Sequence, residues 1–258
     1  MADANGITIT ILGSGTSTGV PVIGCDCPVC TSAERRNRRS RCSALLSWNG
    51  RNVLIDTSPD LRQQSLDNHI SRIDAVLYTH GHADHVHGID DLRMFNALSG
   101  ENIPVYGSRP LIERLSRCFG YVFAPGNSKT FLPRLEPRVI DGPLDLFGRL
   151  VEPIDIIHGR RNVLGYRIGP LAYLTDCSAV PEHSWPLLQN LEVLVIDGLR
   201  FRAHATHFTV AQAIGVAQRL EAKRVVLTHL SHDVDYVRHS AELPDNVEYA
   251  YDGLTITL

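Results

Sequence analysis

No apolar run in this 258-residue chain approaches the ~20 residues that a membrane-spanning helix needs, so no membrane partner is expected. The opening residues, Met1-Ala-Asp-Ala-Asn-Gly6, lack the basic and apolar regions of a secretory leader. A soluble, cytoplasmic protein is the expectation. There is no basic excess either. The formal net charge is −3, which leaves out the distributed Lys and Arg surface that nucleic-acid binding needs. Six cysteines are few for a disulfide scaffold of this length. Three of them cluster, while Cys42, Cys118 and Cys177 stand apart and read as ordinary buried thiols. No linker or internal repeat is evident. The reading is one domain over residues 1–258, and 43% hydrophobic residues are enough for a sizeable core.

What the chain does hold is a series of short apolar runs ending on residues that carry chemistry. Ala75–Tyr78 reads as a buried strand and leads into Thr79-His80-Gly81-His82-Ala83-Asp84-His85. Gly81 allows a tight turn at the strand end. Side chains two apart in a turn can converge, so His80 and His82 can share one metal while Asp84 and His85 face a second. Imidazole and carboxylate are ligands for zinc, manganese or iron. Further runs end at His158, at Asp176 and at His229. Ligands at strand ends share one edge of a sheet system, where a rigid site can be built.

The remaining pattern suits two packed sheets covered by helices. Residues 7–13 read as an opening strand. The glycine-rich loop at 13–19 lacks the ending of a phosphate-binding P-loop. Residues 43–56 form a hairpin around Asn49-Gly50. Helices are expected over 59–66, 88–98, 110–117 and 209–220, and strands over 103–107, 151–157, 163–168, 171–175, 194–197, 224–228, 247–251 and 254–258. The proline- and glycine-rich span 119–145 reads as an irregular connection at the rim of a substrate pocket. Cys25-Asp-Cys27-Pro-Val-Cys30 suits a tetrahedral zinc that still needs one ligand, or else a disulfide and a spare thiol, which a reducing compartment disfavours. The arginine run at 35–41 is either solvated surface or an attraction for an anionic substrate.

The stretch at 80–85 resembles the HxHxDH signature of the metallo-β-lactamase superfamily. The order of His158, Asp176 and His229 follows that family's pattern over nearly the whole chain. The resemblance implies an α/β fold, a four-layer αββα sandwich, with two divalent catalytic metals, Mn2+ or Zn2+. It implies His80, His82 and His158 on the first metal, Asp84, His85 and His229 on the second, and Asp176 bridging them. Two such ions lower the pKa of a shared water towards ~7 and polarise the electrophile.

Phe201-Arg-Ala-His204-Ala-Thr-His207-Phe-Thr209 resembles the extra histidine loop of the phosphodiesterase branch, which includes transfer-RNA 3′-processing nucleases. It implies that His207 acts in catalysis beside Asp84. An alkoxide leaving group must be protonated, and a histidine with a near-neutral pKa can do that. His204 and Arg160 are candidate substrate contacts, with Arg161, Arg200 and Arg202 nearby. Taken together, the glycine-rich loop, the cysteine cluster and Thr228-His-Leu-Ser-His232 resemble the phosphoribosyl 1,2-cyclic phosphate phosphodiesterases of the carbon–phosphorus lyase pathway of phosphonate metabolism. That likeness implies one structural Zn2+ on Cys25, Cys27, Cys30 and His232.

The expected function is therefore metal-dependent hydrolysis of a small phosphodiester such as 5-phosphoribosyl 1,2-cyclic phosphate. Only residues 159–175 separate His158 from Asp176, where transfer-RNA nucleases commonly insert an arm. Alternatives are an activity like that of the pyrroloquinoline quinone pathway protein, a transfer-RNA-processing nuclease, or a non-catalytic metal-binding protein. The presence of all seven ligands argues against the last. A homodimer is open as the assembly.

Overall fold

The structure, a computed structural model, describes residues 6–123 and 131–258. The first half of the chain supplies β1 (Thr8–Gly13), β2 (Ser43–Trp48), β3 (Arg51–Ile55), β4 (Ala75–Leu77), β5 (Ile103–Gly107) and β6 (Leu135–Val139). The second supplies β7 (Leu144–Leu146), β8 (Arg149–His158), β9 (Arg161–Ile168), β10 (Leu171–Leu174), β11 (Val193–Asp197), β12 (Arg224–Thr228), β13 (Val247–Tyr249) and β14 (Thr255–Thr257). One sheet has the order β14-β1-β2-β3-β4-β5-β6 and the other β13-β12-β11-β10-β9-β8-β7. In both, antiparallel hairpins come first and parallel crossovers follow. The final strand β14 returns to pair with β1.

Among the described residues six α-helices join these strands: α1 (Leu61–Asp67), α2 (Ala83–Val86), α3 (Leu92–Ser99), α4 (Arg109–Cys118), α5 (Val210–Arg219) and α6 (Tyr236–Ser240). Strand residues alternate between faces, and here both faces are covered. Leu46, Val53, Ile55 and Leu77 of one sheet meet Tyr166, Tyr173, Val195 and Val226 of the other in a central core. On the opposite faces, Leu45, Leu54 and Val76 pack under α1, α3 and α4, while Leu194, Ile196 and Leu227 pack under α5. This is the αββα sandwich. Burial on both faces explains why the strands read as near-continuous apolar runs.

Local chemistry sets the boundaries. Asn49 and Gly50 both take positive φ, as a tight two-residue hairpin requires. Thr209 and Gln212 form a reciprocal capping box that starts α5. The span 119–145 is more regular than its composition predicts, since it carries β6 and β7. Both are edge strands, where Pro137 removes no needed ladder bond. Residues 124–130 of that span lie outside the described residues. The helix expected from residue 88 opens instead with a 3-10 turn at Ile89–Asp91. Cys42 and Cys177 are buried, but Cys118 is exposed, at the end of α4 beyond the buried stripe of Leu111, Ile112 and Leu115.

The two sheets are tied beside the histidine-rich loop at residues 79–85. The hydroxyl of Tyr166, on β9, donates to the carbonyl oxygen of Tyr78, just after β4, at 2.6 Å, and both residues are buried. A buried acceptor left unpaired costs about 1–3 kcal/mol. Tyr166→Phe should therefore lower unfolding free energy by about that amount, as measured by urea denaturation, without changing the denaturant slope.

Candidate active site

The parallel strands place their C-terminal ends on one edge, and several of them lead into a residue found at the site. Asp56 follows β3, residues 79–85 follow β4, Asp176 follows β10 by one residue, Asp197 ends β11 and His229 follows β12. His158 ends β8, which runs in the same direction as β10 because both pair antiparallel with β9. Asp56, Asp176 and His229 all take the left-handed backbone region, with φ of 60°, 52° and 59°. For non-glycine residues this costs on the order of 1–3 kcal/mol each and persists only where surroundings over-determine it. Such strain collects at functional sites. Gly81, by contrast, has no left-handed φ. Its missing side chain leaves room for Arg114, whose Cδ and Nε lie 3.2 and 3.4 Å from where a Cβ would stand.

The ligand atoms form two groups that share one carboxylate. His80, His82, His158 and Asp176 lie within 4.8 Å of one another, as do Asp84, His85, Asp176 and His229. Asp176 divides its oxygens between them. Its Oδ2 is 3.7 Å from His80 Nε2 and 3.9 Å from His158 Nε2. Its Oδ1 is 3.1 Å from His85 Nε2 and 3.2 Å from His229 Nε2. Asp84 Oδ2 lies 3.2 Å from His85 Nε2 and 3.7 Å from His229 Nε2.

A further set of groups aims these rings. Asp56 accepts from His85 Nδ1 at 2.6 Å and from the Thr79 hydroxyl and amide, each at 2.8 Å. The Thr79 oxygen is 3.0 Å from His80 Nδ1. The Thr206 carbonyl is 2.9 Å from His158 Nδ1. With Nδ1 engaged, Nε2 faces the centre, as metal-binding imidazoles require. The Nε2 atoms of His80, His85 and His229 are buried and make no hydrogen bond among the described residues. Converging, orphaned nitrogens beside two carboxylates are a donor set suited to divalent metal ions.

Electrostatics agree. Burial and the neighbouring His85 hold His80 well below its usual range. Burial also disfavours charge on His229, yet Asp176 and Asp84 outweigh it and push that ring up to about 9. Burial works against an ionised Asp84, but the adjacent His229 and His85 hold it well below the usual carboxylate range. The carboxylates of Asp84 and Asp176 beside these rings favour a cation.

His207 stands at the rim of both groups. Its ring stacks on His229 at 4.7 Å and meets His158 edge-on at 4.8 Å. Its Nδ1 is 2.6 Å from Asp197 Oδ2, and its Nε2 makes no hydrogen bond among the described residues. Asp197 is fully buried and also accepts from the amides of Cys177 and Leu199. Neither Asp56 nor Asp197 is singled out by the sequence reading, although each ends an apolar run as Asp176 does. His204 is exposed, its ring 5.0 Å from His207 and its Nδ1 taken up by Thr206. Arg160 occupies the tip of the β8–β9 turn and does not line the cleft beside the histidines, whereas Arg161 does. Arg200 is tied to the carbonyls of Arg202 and Ala203.

A second cluster gathers Cys25, Cys27, Cys30 and His232. The three Sγ atoms lie 3.3, 3.7 and 3.4 Å from His232 Nδ1. A tetrahedral zinc with ordinary bond lengths separates S and N ligands by roughly 3.5 Å, so the set fits one. The Cys30 amide donates to Cys27 Sγ and holds that thiol below its usual range. Much of the arginine run beside it is structural. Arg39 is buried and binds the carbonyls of Ser231 and Val234, Arg36 pairs with Glu34, and Arg41 pairs with Asp60.

A family model described as a beta-lactamase superfamily domain matches residues 51–230. The chain belongs to the β-lactamase superfamily, and its fold is the metallo-β-lactamase sandwich, with His/Asp clusters suited to metal binding. Within that class the likeness is to the PhnP branch. The crystal structure of a new diphosphatase from the PhnP family superposes with a TM-score of 0.92 at 40% identity, over 98% of this chain and 97% of that one. A Porphyromonas gingivalis protein named octanoyltransferase is 40% identical over 251 residues. The match takes in 95% of this chain and 50% of that protein, so the chain spans half the length of this relative. Zinc-bound PqqB from Methylobacterium extorquens superposes with a TM-score of 0.76 at 22% identity, over 97% and 100% of the two chains, a likeness of fold.

Replacing Asp197 tests how far the rim histidine depends on its buried partner. Asp197→Ala strands two backbone amides as well as His207 Nδ1 and should cost about 2–5 kcal/mol of stability. Asp197→Asn keeps one acceptor and should cost less. Urea denaturation of both variants gives the comparison.

Proposed function

We propose that the protein is a metal-dependent hydrolase of small phosphodiesters. The observation that carries this reading is His207, held by the buried carboxylate of Asp197 at the edge of a seven-ligand His/Asp centre. His80, His82 and His158 would hold one divalent ion and Asp84, His85 and His229 a second, with Asp176 serving both. Ions bound there supply Lewis acidity and lower the pKa of water towards ~7. The chain's own residues do the rest. Asp56, through His85 and Thr79, keeps the rings oriented. Asp197 engages Nδ1 of His207 and leaves Nε2 to exchange a proton with substrate. Water adds to phosphorus as the ester P–O bond breaks, and His207 gives its proton to the departing oxygen.

An ester alkoxide needs that proton, which favours a phosphodiester such as 5-phosphoribosyl 1,2-cyclic phosphate. The near-full-length likeness to a diphosphatase supports a second reading, a disubstituted diphosphate. Its leaving group is itself a phosphate, whose second pKa is near ~6, so it depends less on an acid. The transferase name of the longer relative is not carried over, because the chain matches only half of that protein. The deciding experiment is a panel run with metal-loaded protein: a cyclic phosphodiester, a disubstituted diphosphate, bis(p-nitrophenyl) phosphate, a β-lactam, a thioester and precursor transfer RNA. Turnover confined to the lactam, the thioester or the RNA would overturn the proposal.

His207→Ala should lower kcat by ~10²–10⁴ for the alkoxide leaving group and much less for p-nitrophenolate. Equal losses on both would make His207 a binding residue instead.

The metals are separable by mutation. Elemental analysis of loaded wild type should give two catalytic ions and one zinc per chain. Asp176→Ala should lose the catalytic ions and keep the zinc. Cys27→Ser should lose the zinc and melt at lower temperature, because four protein ligands make a closed, structural site.

A further inference from the structure

We propose that the two ion positions of the centre are unequal: Asp84, His85 and His229 hold a resident ion, whereas His80, His82 and His158 hold a weaker, exchangeable one. This rests on the ligand assignment above and adds the order in which the positions fill and the residues that set it.

Donor charge separates the two groups. Asp176 serves both, but the second group adds the carboxylate of Asp84, while the first adds only imidazoles. Affinity for a divalent ion rises with the charge of its ligands. Spacing points the same way. An ion with bonds of about 2.1 Å sets neighbouring ligand atoms about 3.0–3.4 Å apart. In the second group His85 Nε2 lies 3.1 Å from Asp176 Oδ1 and 3.2 Å from Asp84 Oδ2, and His229 Nε2 lies 3.2 Å from Asp176 Oδ1. Only the contact of His229 with Asp84 is wider, at 3.7 Å. In the first group both contacts with Asp176 Oδ2 are wide, at 3.7 and 3.9 Å. The second group is the better preformed.

The residues behind the rings widen the difference. The buried carboxylate of Asp56 is 2.6 Å from His85 Nδ1, which makes that ring a stronger donor. His80 and His158 have neutral oxygens there, from Thr79 and the Thr206 carbonyl. Asp56 reaches His80 only through the Thr79 hydroxyl. Access differs as well. All four residues of the second group are buried, whereas His82 is half-buried. His80, His82 and His158 line an open cleft of about 140 Å³, and Asp84, His85 and His229 are not among its described lining residues. One contact opposes the trend: the Thr175 hydroxyl donates to Asp176 Oδ1 at 3.1 Å and draws charge from the second group. A single neutral hydrogen bond does not offset a whole carboxylate. Two cations sharing Asp176 also repel, so the position that fills second is weakened further.

The test strips the catalytic ions with dipicolinate, confirms by elemental analysis that the zinc on Cys25, Cys27, Cys30 and His232 remains, and titrates Zn2+ back against a competing chelator. Wild type should bind in two steps whose Kd values differ by ~100-fold or more. In 15N-histidine spectra the rings of His85 and His229 should shift during the first equivalent, and those of His82 and His158 during the second. His82→Ala should lose the weak step and keep the tight one, and Asp84→Ala should lose the tight step. Asp56→Asn should weaken the tight step by ~10- to 100-fold and the weak step by less. Steps within ~10-fold of each other, or His82 and His158 shifting first, would overturn the proposal. So would a tight step that survives Asp84→Ala and vanishes in His82→Ala. The wild-type spectra decide the order even where a variant does not fold. No substrate is present, so failure of the phosphodiester reading in the substrate panel leaves this result standing.

Discussion

Everything at this edge depends on carboxylates placed where water is nearly absent. Asp176 is 2% exposed, and Asp56 and Asp197 are fully buried. An isolated buried carboxylate is very costly, so each must be matched by donors or cations. Asp56 is matched by Thr79 and His85, and Asp197 by two amides and His207. Asp176 is matched by four imidazoles, two on each oxygen. Matching at these distances needs rigid placement. That is what strand ends held between two cores provide, and left-handed backbone at Asp56, Asp176 and His229 is tolerated in return.

Much of this was legible in the sequence, and the reasons are specific. The hairpin at Asn49-Gly50, the strand at 103–107 and the helix at 210–219 carry strong local signals, and the structure follows them. The positions at 79–85, His158, Asp176 and His229 were legible because they follow apolar runs, while the assignment of seven candidate ligands came from the resemblance to the metallo-β-lactamase signature. The same pattern marks Asp56 after Val53-Leu54-Ile55 and Asp197 after Leu194-Val195-Ile196. What hid them is that a carboxylate acting through an imidazole has no spacing of its own, since its partner lies 29 or 10 residues away in the chain. Strand β6 was hidden by Pro137 and β7 by the Gly142-Pro143 pair just before it, which local propensity counts against a strand and an edge position does not. Gly81 was read as a turn residue, yet the constraint on it is a side chain from α4, which only tertiary structure can reveal.

The arginine run at 35–41 shows the same limit from the other direction. In sequence its residues look equivalent. In the fold Arg39 is buried, and burial pulls it down to about 10 against the attraction of Asp252 and Asp235. Arg36 lies over the Tyr236 ring at 4.2 Å, while Arg35 and Arg38 stay exposed. Charge density in a sequence window is thus a poor guide to an anion site. Of the two arginines that line the cleft beside the histidines, Arg161 was noted only as a neighbour of Arg160, and Arg114 stands in no such run.

The cysteine cluster then makes sense as part of the same placement problem. His232 lies three residues beyond His229, and the loop between them leaves β12 through a left-handed residue. Such a turn would relax if its far end were free. The far end is held on three sides: Cys25, Cys27 and Cys30 converge on His232, Arg39 grips the carbonyls of Ser231 and Val234, and Asn37 accepts from the Tyr236 amide. All of these partners come from residues 25–39, the segment that links β1 to β2. The glycine-rich turn after β1 completes the tie, with Thr16 donating to the Leu230 carbonyl and Leu230 to the Ser14 carbonyl. His229 is therefore positioned by residues 14–39, from the other end of the sequence. That long-range closure explains why the loop and cysteine motifs occur together with a histidine motif some 200 residues later in the sequence.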